Sequence, residues 1–317
     1  MSNYLFSIIT PCYNGSNTLR RTFDSLQKLT TGDINFEWIL VDDHSNDNNK
    51  TIQLINDLCK EASFPTKTIF LTQNYYGSKS TFEGAKISDG EYIIVLDQDD
   101  MLMEDSLKIF QELISKYHYS NKFAGVCGRC IDMNNNLIGT KTDWQELLSN
   151  ELEIRYFYKI RGEMFQCTKR ELVIQYFSDF IPGLTNGYAW LRISRNYQYV
   201  YTNKIVRRYD TTNPFSYTNL KEVKHIDALI QMIKYNLENN YDYLNFDKVS
   251  FYREIMQLSR LSLHQGVSIK EILTSLPRQL HQLNLIIFPF GLLRYLIDNL
   301  FNRKYRNLKI KNNLANK

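Results

Sequence analysis

Three carboxylates within four residues are the feature of the sequence that points most directly to chemistry. The run Asp97-Gln98-Asp99-Asp100 directly follows the apolar segment Tyr92–Leu96. One acid at such a place suits the cap and the dipole of a following helix. Three acids repel one another, and a divalent cation relieves that repulsion. Mg²⁺ or Mn²⁺ binds through one or two carboxylates and completes its shell with substrate phosphates, so the run predicts a site for a metal-bound diphosphate.

Polar segments also follow two other apolar runs, Phe6–Thr10 and Trp38–Val41. These segments are Pro11–Asn14 and Asp42–Ser45. Ligands of open α/β sheets bind beyond the carboxyl ends of the strands, so we expect all three polar segments to meet at one rim. No glycine-rich phosphate loop follows the first strand, which argues against P-loop and dinucleotide-binding proteins.

The elements that must position these residues alternate between strands and helices over the first 130 residues. Four apolar runs predict strands: Phe6–Thr10, Trp38–Val41, Thr68–Leu71 and Tyr92–Leu96. Helical spacing follows each of them, in Thr18–Leu29, Lys50–Cys59, Lys79–Ser88 and Ser106–Tyr117. This alternation is typical of parallel βα units. We therefore predict an α/β fold with an open, mainly parallel sheet and helices on both faces.

Three segments in this order resemble the family 2 glycosyltransferases, enzymes with the Rossmann-like GT-A fold and its mixed, mainly parallel sheet. The segments are Ser7–Asn14, Trp38–Asp47 and Gly90–Asp100. With the helix between Gly77 and Gly90 they cover about the first 130 residues. Three motifs in the right order are far more specific than a lone Asp-x-Asp. The resemblance implies transfer of a sugar, with inversion, from a UDP- or dTDP-linked donor, with Mg²⁺ or Mn²⁺ as cofactor.

The resemblance implies roles for the residues around the nucleotide. Pro11, Tyr13 and Asn14 would surround the base and ribose, and Asp43 would accept a hydrogen bond from the base. A charged acceptor makes that bond roughly twice as strong as a neutral one. Lys79 would approach the diphosphate, and a solvated helical lysine is an equally good interpretation of it.

The resemblance also assigns the acidic run. Asp97 would lie near the ribose or the waters of the metal, and Asp99 would ligate the metal directly. Asp100 would cap the following helix. Asp97 and Asp99 together form the Asp-x-Asp pair.

The catalytic base is the point at which this sequence departs from the family. The family supplies an acid just before its closing helix, and the best-aligned position here is Asn186. An amide cannot take the proton of an acceptor hydroxyl. Glu163 or Asp179 would then supply the carboxylate, with Glu163 favoured because Gly162-Glu163 matches an acceptor-side loop. Otherwise Asn186 only orients the acceptor, or the protein binds nucleotide-sugar without transferring it.

The pattern of the chain changes to helices after about residue 216. Helical spacing occurs in Leu220–Leu237, Phe246–Leu263, Ile269–Leu276 and Gln279–Phe301. We predict a GT-A domain over residues 1–215, with a nucleotide-binding half to about 130 and an acceptor half from 131. A helical C-terminal region with a basic tail would occupy residues 216–317.

The net charge of +4 is unevenly distributed. Residues 278–317 include eight basic residues and one acidic residue, whereas the first 277 have a net charge of −3. The average therefore does not favour nucleic acid as a partner. The last predicted helix and the basic tail suit an anionic membrane surface, with a packing helix and a frayed basic end as the alternative. The apolar stretch Leu285–Leu293 is too short to span a bilayer.

Five cysteines, an odd number, predict reduced thiols and a cytoplasmic protein. Cys127 and Cys130 lie in a predicted strand, which favours a structural role. The N-terminus lacks the basic start of a signal peptide. We expect a cytoplasmic protein, with the inner face of the cell membrane as a further location.

The leading hypothesis is a metal-dependent glycosyltransferase that acts on a saccharide or lipid-linked acceptor in surface polysaccharide or glycolipid synthesis. One alternative is a catalytically silent nucleotide-sugar-binding module, suggested by Asn186. Another is a Mg²⁺-dependent phospho-accepting receiver domain. The Asp97-Gln98-Asp99 signature and the length of 317 residues count against the receiver domain.

Overall fold

The computed structural model describes residues 4–29, 34–75, 77–179, 186–212 and 226–301. The chain divides into two compact units, Met1–Asn213 and Pro214–Lys317. The boundary predicted at residue 215 lies outside the described residues. So do the basic tail beyond Phe301 and the first part of the helix predicted from Leu220.

The described strands of the first unit form one mixed sheet. The strands are β1 Tyr4–Cys12, β2 Phe36–Asp42, β3 Thr66–Phe70, β4 Gly90–Val95, β5 Met101–Leu102, β6 Phe123–Ile131, β7 Glu146–Ser149, β8 Met164–Lys169 and β9 Gln198–Arg208. Their order in the sheet is β3-β2-β1-β4-β8-β6-β9-β5, and β7 also pairs with β9. The pairs β1–β2, β1–β4, β2–β3 and β6–β9 are parallel. The strand β8 runs antiparallel to both β4 and β6.

Helices alternate with these strands along the chain and pack against the sheet. They are α1 Leu19–Gln27, α2 Lys50–Glu61, α3 Ser78–Ile87, α4 Ser106–Tyr117, α5 Arg170–Phe177 and α6 Asn186–Ser194, with a π-helical turn at Glu153–Phe157. The four strands and four helices predicted in the first 130 residues are confirmed, to within a few residues at each end. The predicted α/β fold with a mixed, mainly parallel sheet is confirmed with them.

The core forms two layers because successive strand residues point to opposite faces of the sheet. Phe6 and Ile8 of β1 belong to one layer, and Ile9 belongs to the other. Cys127 and Cys130 of β6 are divided in the same way. All five cysteines are free thiols.

The described part of the second unit is helical. It contains α7 Ile226–Asn239, a 3₁₀ turn at Tyr241–Asn245, α8 Lys248–His264, α9 Ile269–Thr274 and α10 Arg278–Phe301. Asp247 caps α8, since its carboxylate accepts a hydrogen bond from the backbone N–H of Ser250 at 3.2 Å. The predicted helical C-terminal region is confirmed where it is described.

The helix α10 confirms the helix predicted over Gln279–Phe301, and it extends well beyond the apolar stretch Leu285–Leu293. It continues for 24 residues through Pro289 and Gly291. By length and composition alone it could cross a membrane, with a mean hydropathy of 1.3 in its most apolar window. The core helix of a soluble protein meets the same two conditions, so its packing must decide its role.

Candidate active site

The acidic run forms the loop that follows β4. The backbone N–H of Asp100 bonds to the carbonyl of Asp97 at 3.1 Å, which turns the loop back on itself. The side chain of Asp97 reaches solvent and that of Asp99 is half-buried, whereas Asp100 is fully buried. The two carboxylates of the Asp-x-Asp pair are therefore accessible at the rim, and the third is not.

The surroundings of Asp97 disfavour the ionised form of its carboxyl group. Asp97 is closely surrounded by protein although it reaches solvent, and this loss of hydration is the largest cause that raises its pKa to about 6. Arg207 opposes the rise, and the nearby Asp99 and Glu163 add to it. A bound cation would favour the ionised carboxylate, as expected at a metal site.

The residue between the two acids holds the loop against β1. The side-chain amide of Gln98 accepts a bond from the N–H of Tyr13 at 2.9 Å and donates one to its carbonyl at 3.0 Å. Gly15 leaves the space for this amide, because a Cβ at Gly15 would clash with Gln98 Oε1. The side chain of Tyr13 itself is 39% exposed. The rim is thus tied together through backbone atoms.

Gly15→Ala should destabilise the protein by about 1 to 2 kcal/mol, because the new methyl group displaces an amide that makes two hydrogen bonds. Urea denaturation of Gly15→Ala, Gln98→Ala and the double variant would measure this. The two costs should combine to less than their sum. Full additivity would show that the contact with Gln98 is not the reason for glycine at this position.

The predicted ribose residues lie at the joined ends of β1 and β2. Pro11 pairs with Val41 in the parallel ladder. Asn14 has a positive φ of 50°, and its side chain exchanges two hydrogen bonds with Asn46, at 2.8 and 2.9 Å. Asn14 therefore joins the two loops of the rim. A role for Pro11, Tyr13 and Asn14 around the nucleotide stays a prediction.

Asp43 is buried and holds the loop that precedes α3. Its two carboxylate oxygens accept the backbone N–H of Tyr75 at 2.9 Å and of Gly77 at 2.7 Å. Burial is the largest effect on its pKa and raises it, against the lowering by these two N–H donors. A carboxylate has about four lone-pair sites, and these two N–H groups take two of them.

Lys79 lies on the first turn of α3. Its ammonium is 4.4 Å from the ring centre of Tyr75 and 4.0 Å from Glu83 Oε1. These contacts hold the ammonium group of Lys79 beside Tyr75 and Glu83. The predicted approach of Lys79 to a diphosphate stays a prediction.

A buried ionic cluster at the end of β9 was not predicted from the sequence. Arg207 is 3% exposed and contacts Asp100 Oδ2 at 3.1 Å and Glu163 Oε1 at 2.7 Å. Its guanidinium also lies over the rings of Phe165 and Tyr209, at 4.6 and 4.8 Å from their centres. Burial is the main cause that raises the pKa of Asp100, and Arg207 opposes it.

The prediction that Asp100 caps the following helix is wrong. The helix α4 begins at Ser106, and the residue at its cap position is Asp105. Asp100 instead pairs with Arg207 and accepts the backbone N–H of Asp210 at 2.9 Å. This long-range pair fixes the base of the acidic loop.

A second arginine supports the same loop from α1. Arg21 donates to the backbone carbonyl of Asp99 at 2.6 Å and to the carboxylate of Asp210 at 2.7 Å. Because Asp210 also binds Asp100, the segment after β9 and the helix α1 hold the acidic loop from two sides. The position of Asp99 is therefore set by its backbone, which leaves its carboxylate at the rim.

The structure separates the two candidate bases. Glu163 shares Arg207 with Asp100 and acts electrostatically on Asp97, so it lies beside the acidic loop. Asp179 is 67% exposed and pairs with Arg192 of α6 at 3.0 Å. Asn186 begins α6, and its amide donates to Thr81 Oγ1 of α3 at 3.2 Å.

The donor set at the rim fits a cation shared with a substrate. Within the described ranges, no group of three or more His, Cys, Asp or Glu side chains is arranged to hold a metal ion. Asp97 and Asp99 supply carboxylate oxygens, which Mg²⁺ and Mn²⁺ prefer, in the small number typical of metals that also bind phosphates. These two residues would hold the ion only together with substrate oxygens.

A family model agrees with this arrangement of motifs on the sheet. The model of glycosyl transferase family 2 matches residues 7–170, which is more than half of the chain. The chain belongs to glycosyl transferase family 2. The resemblance drawn from the three segments is thereby confirmed, and so is the prediction of an enzyme.

Bacterial relatives of this family 2 member include two with named activities. The poly(ribitol-phosphate) beta-N-acetylglucosaminyltransferase TarP of Staphylococcus aureus is 35% identical over 103 residues, 32% of this chain and 30% of TarP. WfgD of Escherichia coli, a UDP-Glc:alpha-D-GlcNAc-diphosphoundecaprenol beta-1,3-glucosyltransferase, is 29% identical over 157 residues, 48% of this chain and 56% of WfgD. The matches thus span less than a third of TarP and little more than half of WfgD.

Solved structures share the fold over most of this family 2 chain. Residues 1–349 of S. aureus TarS, in complex with UDP-GlcNAc, superpose with a TM-score of 0.62 at 16% identity, over 92% of this chain and 89% of that one. The mannosyltransferase PcManGT of Pyrobaculum calidifontis, in complex with GDP-Man and Mn²⁺, gives 0.57 at 12% identity, over 94% and 88%. At these identities the likeness establishes the GT-A fold.

Proposed function

We propose that this glycosyltransferase moves a sugar, with inversion, from a UDP-linked donor to a hydroxyl of a saccharide or lipid-linked acceptor. The observation that carries the proposal is the pairing of an accessible Asp97/Asp99 rim with Glu163 beside it. The Asp97/Asp99 pair suits a cation that binds the donor diphosphate, and the single carboxylate of Glu163 suits a base. A dTDP-linked donor presents the same diphosphate and the same imide on its base.

Donor binding is assigned to the rim of β1 and β2. Asp43 would accept the imide N–H of a uracil ring while it retains the N–H groups of Tyr75 and Gly77. Tyr13, whose side chain is exposed and whose backbone binds Gln98, would stack on the base or ribose, with Pro11 and Asn14 shaping that edge. The UDP-GlcNAc complex of TarS supports a uridine donor by likeness of fold.

The acidic loop is assigned to the diphosphate. A Mg²⁺ or Mn²⁺ ion bound there would stabilise the negative charge that develops on the leaving diphosphate. Asp99 and Asp97 would hold that ion, Asp99 directly. The bonds from Arg21 and Arg207 keep the loop in place. Lys79 would contribute a further positive charge after leaving Tyr75.

Glu163 is assigned as the catalytic base. Arg207 binds its Oε1, and the side chain remains 44% exposed. Its Oε2 would then take the proton from the acceptor hydroxyl as that hydroxyl attacks the anomeric carbon. Asp179, paired with Arg192 on the surface, has a weaker claim.

Glu163→Gln should lower kcat for transfer by about 10² to 10⁴-fold, the range for loss of a positioned base. Asp179→Asn is the matched control and should change kcat by less than about two-fold, since an exposed ion pair contributes little. Radiolabelled transfer to an acceptor panel would measure both. Loss of activity in Asp179→Asn with full activity in Glu163→Gln would overturn this assignment.

The names of two bacterial relatives bear on the acceptor of this enzyme. TarP is named for poly(ribitol-phosphate) and WfgD for a diphosphoundecaprenol-linked sugar. Both names support an acceptor that belongs to surface polysaccharide or glycolipid synthesis. We infer a cytoplasmic enzyme that acts at the inner face of the cell membrane, where a lipid-linked acceptor like that in the name of WfgD would lie.

The silent-module alternative is favoured by Asn186, which occupies the position of the family's base. An assay of UDP release from UDP-GlcNAc and UDP-Glc, with and without Mn²⁺, separates the two functions. The proposed function requires metal-dependent release that rises with a suitable acceptor. Tight binding of both donors with no release or transfer to any acceptor would instead establish the silent module.

A further inference from the structure

The helix α10 exposes a continuous apolar face. Between Leu285 and Phe301, every exposed residue except Arg294 is apolar. The exposed fractions of the large apolar side chains range from 39% at Ile297 to 81% at Phe301. We call these exposed apolar residues of Leu285–Phe301 the α10 apolar face. A contiguous exposed apolar surface of this kind marks an interaction site.

The opposite side of α10 is fixed against α8, so the apolar face cannot rotate inward. A Cβ at Gly291 would lie 2.6 Å from Ser259 Cβ, which shows how closely the two helices approach. Asp298 is buried and paired with Arg260 Nε at 2.5 Å and with His264 Nε2 at 3.0 Å. These buried polar contacts would be lost if α10 left α8 to span a bilayer alone.

The distribution of polar and apolar residues on α10 is the reverse of that of an ordinary surface helix. Such a helix buries its apolar stripe and exposes its charges. Here Asn284 is fully buried and donates to the carbonyl of Ile272 at 2.9 Å, while Ile286 and Phe290 are 65% and 58% exposed. A partner that removes the α10 apolar face from water would account for this arrangement.

The charge of the sequence after α10 indicates which kind of partner fits the α10 apolar face. Beyond Phe301 the sequence carries six basic residues and no acidic residue, beginning with Arg303, Lys304 and Arg306. An apolar face followed by clustered cations matches acyl chains beneath anionic headgroups. The α10 apolar face of a second copy of this chain would cover the apolar residues, but the sequence after Phe301 of that copy has no acidic residue to complement the cations.

We propose that the α10 apolar face docks on an anionic lipid bilayer, with α10 lying in the interface and still packed on α8. Each large apolar side chain enters the boundary between headgroups and acyl chains, and the net positive charge of the sequence after Phe301 adds electrostatic attraction to the anionic surface. This inference concerns attachment and goes beyond the transfer reaction, so it can fail while the proposed function holds.

Flotation of the full chain with vesicles tests the proposal. The vesicles are phosphatidylcholine alone and phosphatidylcholine with phosphatidylglycerol. Ile286→Asp/Leu293→Asp should reduce binding to the anionic vesicles at least ten-fold, with an unchanged thermal midpoint because both side chains are exposed. Arg303→Gln/Lys304→Gln should reduce it by roughly five-fold for each charge and weaken its dependence on salt. Val249→Glu, at a 56% exposed residue of α8, is the matched control and should bind as the wild type does.

Two results would overturn the proposal. One is equal binding of the wild type and of Ile286→Asp/Leu293→Asp to anionic vesicles. The other is a dimer in sedimentation velocity that the same double substitution dissociates, with no vesicle binding by the wild type. The UDP-release assay in solution is a separate readout, so loss of attachment is distinguishable from loss of catalysis.

Discussion

Asp99→Asn is expected to lower kcat for metal-dependent sugar transfer by roughly 10³-fold, since stabilisation of leaving-group charge by a metal is worth several kcal/mol. The amide keeps the size of the side chain and removes the charge that holds the cation. The loop should keep its shape, because Arg21 and the segment after β9 hold it through the carbonyl of Asp99 and the side chain of Asp100. Steady-state transfer across a Mn²⁺ titration would measure the loss.

Asp105→Asn is the matched control for Asp99→Asn. Asp105 is an exposed carboxylate close by in the sequence, at the start of α4, and its side chain makes no cap hydrogen bond. Its replacement should change kcat by less than two-fold. If Asp99→Asn retained wild-type turnover at saturating Mn²⁺, the metal would not be held by this residue.

Arg207→Met is expected to destabilise the first unit by about 3 to 5 kcal/mol, the usual cost of leaving a buried charge without its partner. Asp100 is fully buried and would lose the guanidinium at 3.1 Å. The substitution also releases Glu163, so the variant should lose activity even at temperatures at which it is folded. Urea denaturation followed by circular dichroism would measure the change in stability.

Two further variants separate this explanation from a general effect of losing an arginine. Arg20→Gln breaks an exposed pair with Glu61 and should cost less than about 1 kcal/mol. Asp100→Asn/Arg207→Met should cost less than the sum of its single substitutions, because the buried charge is removed together with its partner. Additive costs would show that the pair is not the source of the stability.

The part of the fold predicted from the sequence is the part that rests on local patterns. The strands β1, β2 and β4 lie inside the sheet with both faces covered, so each contains a short run of mostly apolar residues. Strand β9 lacks that pattern, since Lys204, Arg207 and Arg208 interrupt it. Its place between β6 and β5 depends on pairing with strands that are distant in the sequence. Hydrophobic periodicity gives no information about such pairing.

The candidate site, too, was predictable only where its residues are close together in the sequence. The Asp-x-Asp pair is recognisable because residue type and spacing are local. The partner of Asp100 is Arg207, more than a hundred residues later, so a cap was the nearest available explanation for a third acid. One signal was present: an arginine in a strand together with an unexplained acid at a strand end is compatible with a buried pair.

Pro289 and Gly291 illustrate a second limit. In the sequence they lie within the apolar stretch Leu285–Leu293, which alone is too short to span a bilayer. In the structure Gly291 is the place where α8 comes within contact distance, and the helix passes through it. The meaning of a small residue inside a helix depends on its neighbour in space.

Calorimetric titration of UDP, with and without Mn²⁺, on the wild type and on Asp99→Asn tests the central claim most directly. That claim is a nucleoside diphosphate held by a metal at the Asp97/Asp99 rim. We predict that Mn²⁺ tightens UDP binding to the wild type at least ten-fold and has little effect on Asp99→Asn. UDP affinity that is equal with and without Mn²⁺ in the wild type would contradict it.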